Sequence, residues 1–264
     1  MNFFFNISNN VIKSDLTIPR FKNNGELDKS YMPFKAIIKK GLWHIEKAKY
    51  EKNEMFYILD KNDCDNEKII FLAKKEQIFK GNNNLVLKTN KLSDLNNYTD
   101  TMPDFRSNLR VRYVSGGFSS YQSEYPYKMV TKKGQILSPL FSLLNKEADT
   151  NFLFLKNIYF LPVKVDFKVF FVDIKKNEVV GEKKCITNET NIIPICNNLI
   201  HPNIYLLTDQ FIGIPIFCSI INGYLSLEHT HPPHQYLLST DKFEIINNLK
   251  GNIFEIIKKN YSKQ

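Results

Sequence analysis

The stretch FIGIPIFCSIINGYLSLEH, running from Phe211 to His229, decides the fold class. Two apolar runs, Ile216 to Ile221 and Tyr224 to His229, flank Asn222-Gly223. Asn-Gly between such runs signals a two-residue hairpin, because a type I′ turn needs positive φ at both central positions. In the second run Leu225, Leu227 and His229 alternate with Tyr224, Ser226 and Glu228, the period of a half-buried strand. Gly213 and Pro215 interrupt the run ahead of the hairpin. The segment therefore predicts an antiparallel pair with one face in a core.

Outward from this hairpin the pattern recurs. Phe152 to Phe160 and Val163 to Ile174 are apolar and aromatic-rich, and Lys175-Lys176-Asn177-Glu178 turns the chain into Val179 to Ile186. Ile204 to Leu207 adds another strand. Upstream, Lys35 to Glu46, Met55 to Leu59, Lys68 to Leu72 and Asn84 to Lys88 fit strands, with turns at Asp60-Lys61-Asn62-Asp63 and Lys80-Gly81-Asn82. The tail departs from this period. Asp241 and Glu244 form a capping arrangement, and Ile246, Leu249, Ile253, Ile256 and Ile257 share one helical face, predicting a helix over 241–260 that docks on a sheet despite Gly251.

The expected fold is mainly β, an antiparallel β-sandwich-like architecture with a short C-terminal helix. A chain of 264 residues admits one large domain or two small ones. The polar run ending in Asp100-Thr101-Met102-Pro103-Asp104 reads as a connector. It divides the chain into an N-terminal β-rich region, 1–100, and a C-terminal β-sandwich-like domain, 101–264.

Composition narrows the function classes. The net charge is +9, but nine basic and four acidic side chains lie in residues 1–50 and the rest of the excess is dispersed. No Lys/Arg-rich helix accompanies it, so nucleic acid is not the expected partner. The N-terminus lacks the basic region and cleavage site of a secretory signal, and no apolar stretch reaches the ~20 residues that span a bilayer. Cys64, Cys185, Cys196 and Cys218 show no CxxC spacing. These features point to a cytoplasmic protein without a transmembrane segment; a homo-oligomer is compatible with all of them. Sequons at Asn6, Asn97 and Asn188 are expected by chance in an Asn-rich chain.

Three of the four arginines, Arg106, Arg110 and Arg112, share strand parity with Asn108, opposite Phe105, Leu109, Val111 and Tyr113. Ser115-Gly116-Gly117 follows and allows a hairpin. A three-residue Ser-Gly-Gly loop pairs Arg112 with Ser120, Arg110 with Gln122 and Asn108 with Glu124, which keeps both faces consistent. The expected ledge is Arg106, Asn108, Arg110, Arg112, Ser120, Gln122 and Glu124. Guanidinium groups take carboxylate or phosphate oxygens bidentately, and amides and hydroxyls suit polyols, so an anionic glycan or a protein partner fits. The competing reading is a cross-strand polar ladder on a solvated face.

The second constellation is Glu228-His229-Thr230-His231-Pro232-Pro233-His234. His229 and His231 share a face, Glu228 points away, and His234 returns after the Pro-Pro bend as a third nitrogen donor. Gly223-x5-His229-x-His231, with Gln235 four residues on, resembles the first half of the cupin metal motif, in which a Gly and two His precede a Glu. The resemblance implies a metal-binding β-barrel in which His201 or His234 substitutes for the missing ligands, since Gln235 replaces the acid and no histidine follows His234. A cofactor there would be a divalent transition metal such as Zn, Fe or Mn. The competing reading is a strand end stopped by proline. GxSxG, P-loop, GxGxxG and HExxH patterns are absent. The leading expectation is a non-catalytic binding or assembly module with no cofactor; the alternative is a metal-dependent enzyme in a cupin-like barrel.

Overall fold

A computed structural model describes residues 2–22, 24–63, 65–74, 105–229 and 237–262; of Lys61 and Lys128 only the backbone is described. The expected strand over Asn84 to Lys88 lies outside these residues, as do His231, His234 and Cys64.

The described chain is mainly β, built from four small antiparallel sheets and one C-terminal helix. The first sheet has the order β10 (Glu124–Tyr125), β1 (Asn2–Phe4), β7 (Ile69–Lys74), β3 (Tyr31–Lys39), β4 (Leu42–Lys47). The second runs β5 (Tyr50–Lys52), β6 (Phe56–Leu59), β2 (Ile12–Pro19), β8 (Asn108–Tyr113), β9 (Phe118–Tyr121). The third is β11 (Leu137–Pro139), β16 (Ile204–Thr208), β13 (Asp166–Asp173), β14 (Glu178–Ile186). The fourth is β15 (Thr190–Ile195), β12 (Thr150–Lys156), β17 (Ile214–Ile221), β18 (Tyr224–His229).

Burial explains why these sheets form more than one facing pair. A sheet in a two-layer sandwich keeps one wet face and alternates, whereas a strand covered on both faces is apolar throughout. β12, β13 and β17 are of the second kind. On β12, Phe154 enters a core shared with the first two sheets, while Leu153 and Leu155 enter another with Phe167, Val169 and Phe171 of β13. On β13, Phe170 and Val172 face the opposite way and pack on Ile253, Ile256 and Ile257 of the helix α1 (Lys242–Tyr261). The outcome is a propeller-like arrangement of four sheets, where the sequence pattern alone suggests a sandwich.

The Asn222-Gly223 turn forms as expected, with φ of 49° and 79°, and pairs Ile221 with Tyr224 and Ile216 with His229. The run Lys35 to Glu46 differs from expectation: it is two strands, β3 and β4, joined through Lys40-Gly41, both at positive φ. The helix covers the expected span and buries Ile246, Ile253, Ile256 and Ile257, but the Asp241 side chain makes no capping hydrogen bond. No helix among the described residues is long and apolar enough to cross a membrane. Strands on both sides of residue 100 combine, since β8 pairs with β2 and β10 with β1.

Candidate functional site

The outer face of the second sheet carries the arginines. In β2, Ile12, Leu16 and Ile18 are buried, and Ser14 joins them because its hydroxyl donates to Ile7 O at 2.6 Å and to Asn6 Oδ1. The alternate residues Lys13, Asp15 and Thr17 therefore face outward. In β8, Leu109 and Val111 fill the core and leave Asn108, Arg110 and Arg112 exposed. Register sets Lys13 opposite Arg112, Asp15 opposite Arg110 and Thr17 opposite Asn108.

Across the other edge, Arg110 pairs with Ser120 and Arg112 with Phe118. This register is two residues from the expected one. The turn is Val114-Ser115-Gly116, closed by Tyr113 N–H to Gly117 O at 2.8 Å, in place of Ser115-Gly116-Gly117. Gly117 is used elsewhere: its N–H donates to Gly223 O at 3.1 Å, and a Cβ on it would lie 2.5 Å from that oxygen. Contact between the two hairpin tips, and not the turn itself, thus requires this glycine. The shift of two preserves parity, so the arginines keep their face.

The geometry of the face is specific. The Arg110 guanidinium carbon lies 4.5 Å from the Phe118 ring centroid, and Phe118 is 60% exposed. Arg112 Nη2 meets Asp15 Oδ2 at 2.8 Å, with both side chains open to solvent. Arg106 donates to Gln122 Oε1 at 3.0 Å. Lys13, Arg110 and Arg112 thus stand against the single carboxylate of Asp15 on the outward positions of β2, β8 and β9. An exposed ion pair is worth at most about 1 kcal/mol, so exchanging Asp15 for a ligand anion costs little.

Glu124 does not join this face. It lies in β10 opposite Phe4 of the first sheet, and its carboxylate accepts from the Ser107 N–H and hydroxyl. Burial pushes its pKa up, against the lowering effect of the Ser107 bonds. Asp15, Lys13 and Phe118 are the members that the local pattern misses; Asp15 is 97 residues from Arg112 in the chain, and only sheet order brings them together.

The described histidines are scattered. His229 is half-buried at the end of β18, with its ring edge-on to Tyr121 at 5.1 Å and 78°, and Glu228 is exposed on the other face. His201 is exposed and its Nδ1 accepts from Asn203 N–H at 3.3 Å; His44 is exposed on β4 opposite Ile37. Among the described residues no group of three or more His, Cys, Asp or Glu is placed to hold a metal ion. Cys185, Cys196 and Cys218 are free thiols, and burial raises those of Cys185 and Cys218 to about 12. Asn188, one of the sequon residues, is buried and its amide donates to Leu161 O and Val163 O, a structural use of that side chain.

One group escapes any motif. Lys156 ends β12 at 1% exposure, and its ammonium donates to Asn66 O and Lys68 O at 3.2 and 3.3 Å. Burial lowers its pKa to about 7, opposed by Glu189 and Asp65 and reinforced by Lys164.

Neither a scan against protein-family models nor searches of curated proteins and solved structures found a protein similar to this chain.

Proposed function

We propose that the chain is a non-catalytic binding or assembly module whose outer β2-β8-β9 face takes an anionic ligand, an acidic glycan in the first instance. One observation carries this reading. The Arg110 guanidinium stacked on the exposed Phe118 ring stands beside Arg112 on an open sheet face, which couples a flat apolar surface to fork-shaped donors. A pyranose ring lies on the first while its carboxylate or sulfate meets the second. Asn108 and Ser120 supply neutral donors and acceptors on the same face.

The test is binding to an array of sulfated and uronic-acid glycans. Arg110→Ala and Arg112→Ala each remove a charge-assisted contact worth about 1.5–3 kcal/mol, so each is expected to weaken binding by roughly tenfold or more. Binding falls as salt is raised. Equal binding by both variants and the parent overturns the proposal; binding only to an acidic protein surface moves the ligand to that class.

A further inference from the structure

Segment 141–146 and the ends of β17 and β18 line an open, shallow cleft of about 500 Å³, in the size range of small-ligand sites. Parity decides its floor. Leu225 and Leu227 pack into the core, so Ser226 and Glu228 point outward, with Ser219 and Ile221 beside them from β17. Tyr224, paired with Ile221, is 73% exposed.

The wall is held by hydrogen bonds. Leu143 and Leu144 N–H groups donate to Leu140 O at 3.1 and 3.0 Å, Asn145 N–H donates to Ser219 Oγ at 2.9 Å, and Asn151 Nδ2 donates to Asn145 O at 2.9 Å. Leu140 and Leu144 anchor the segment in the core, while Phe141, which lines the cleft, is left 52% exposed. A rigid wall that presents a phenyl ring to solvent is preorganised for a ligand with a flat apolar side. The same cleft is lined by a carboxylate, Glu228, and a hydroxyl, Ser226.

An exposed aromatic ring, a carboxylate and a hydroxyl lining one cleft match the two aspects of a sugar. The axial C–H face lies on the aromatic ring, and vicinal hydroxyls donate to the carboxylate. Glu228 and Lys146 both line the cleft, so it carries no net charge that selects an anion or a cation, and a neutral ligand suits it. We infer that this cleft binds a neutral pyranose sugar, with Phe141 as the stacking ring and Glu228 as the hydroxyl acceptor. The site shares no residue with the arginine face and stands without it.

Titration of the isotope-labelled chain with glucose, galactose, mannose and N-acetylglucosamine up to about 20 mM, followed by amide chemical shifts, tests this. At least one sugar is expected to saturate, with shifts confined to amides of 141–146 and 219–228. Phe141→Ala and Glu228→Ala each weaken that binding by about tenfold or more, and Arg110→Ala leaves it unchanged. Both substituted side chains are exposed, and retained spectral dispersion verifies the fold. Absence of saturable binding by all four sugars, or parental affinity in both cleft variants, overturns the inference.

Discussion

Lys156 shows how one buried group sets a property of the whole chain. Among the described residues its ammonium has only backbone carbonyls within hydrogen-bond distance, and the carboxylates of Glu189 and Asp65 act on it from further away. A lysine whose folded pKa is about 7, against its ordinary 10.5, binds fewer protons when folded than when unfolded at intermediate pH. Its burial cost is therefore fully present below about pH 7, and stability rises with pH from there towards the unfolded value, by up to about 1.4 kcal/mol per unit. Lys156→Met removes that slope. Urea titrations of parent and variant at several values between about pH 6 and about pH 9 should show the parent gaining on the variant as pH rises. Parallel stability profiles would show that the amine keeps its proton across this range.

At the scale of elements, α1 illustrates a local conflict that tertiary packing overrides. Gly251 lies within the helix, exposed, and a Cβ added there meets nothing within 4 Å. The helix persists because Ile246, Ile253, Ile256 and Ile257 are buried on one side of it. Gly251→Ala should then stabilise by about 0.5–1 kcal/mol through the unfolded chain, raising Tm by roughly 1–4 °C in a thermal melt. A lower Tm would mean that the helix needs its glycine. The helix and β18 are legible in the sequence because each has one wet face, which leaves a clean period, and the Asn222-Gly223 turn marks β17 as the partner strand. β8 is legible for the same reason. Its register with β9 is not, since either of two glycine-containing loops preserves parity and the choice rests on the remote Gly117 to Gly223 contact. β1 and β10 are three and two residues long, too short to show any period. β2 is hidden by Ser14, a polar residue buried on its own hydrogen bonds. The arginines could be found from spacing alone, but the placement of Asp15 and the cleft that Phe141 and Glu228 line depend on sheet order across long separations, which no local pattern encodes.

For the whole molecule, the decisive feature is that single strands belong to two cores. β12 sends Phe154 into the core of the first and second sheets and Leu153 and Leu155 into the core shared with β13, while β13 in turn covers α1 with Phe170 and Val172. Losing either face of β12 exposes the other, so the cores cannot melt independently at low cost. Trp43, the single tryptophan, is placed to report on this: it is 5% exposed on β4, and its Nε1 donates to Phe160 O at 2.8 Å, tying the first sheet to the segment that follows β12. A chain of this length exceeds the size at which one transition is the rule, which makes coincidence informative. Tryptophan fluorescence and far-UV circular dichroism should therefore trace one urea transition. Phe154→Ala, which empties a site at 0% exposure, should move both curves together by an amount equivalent to about 3–5 kcal/mol. A fluorescence change that precedes the loss of β-structure would instead show that the first two sheets unfold while β12 keeps its pairing with β15 and β17.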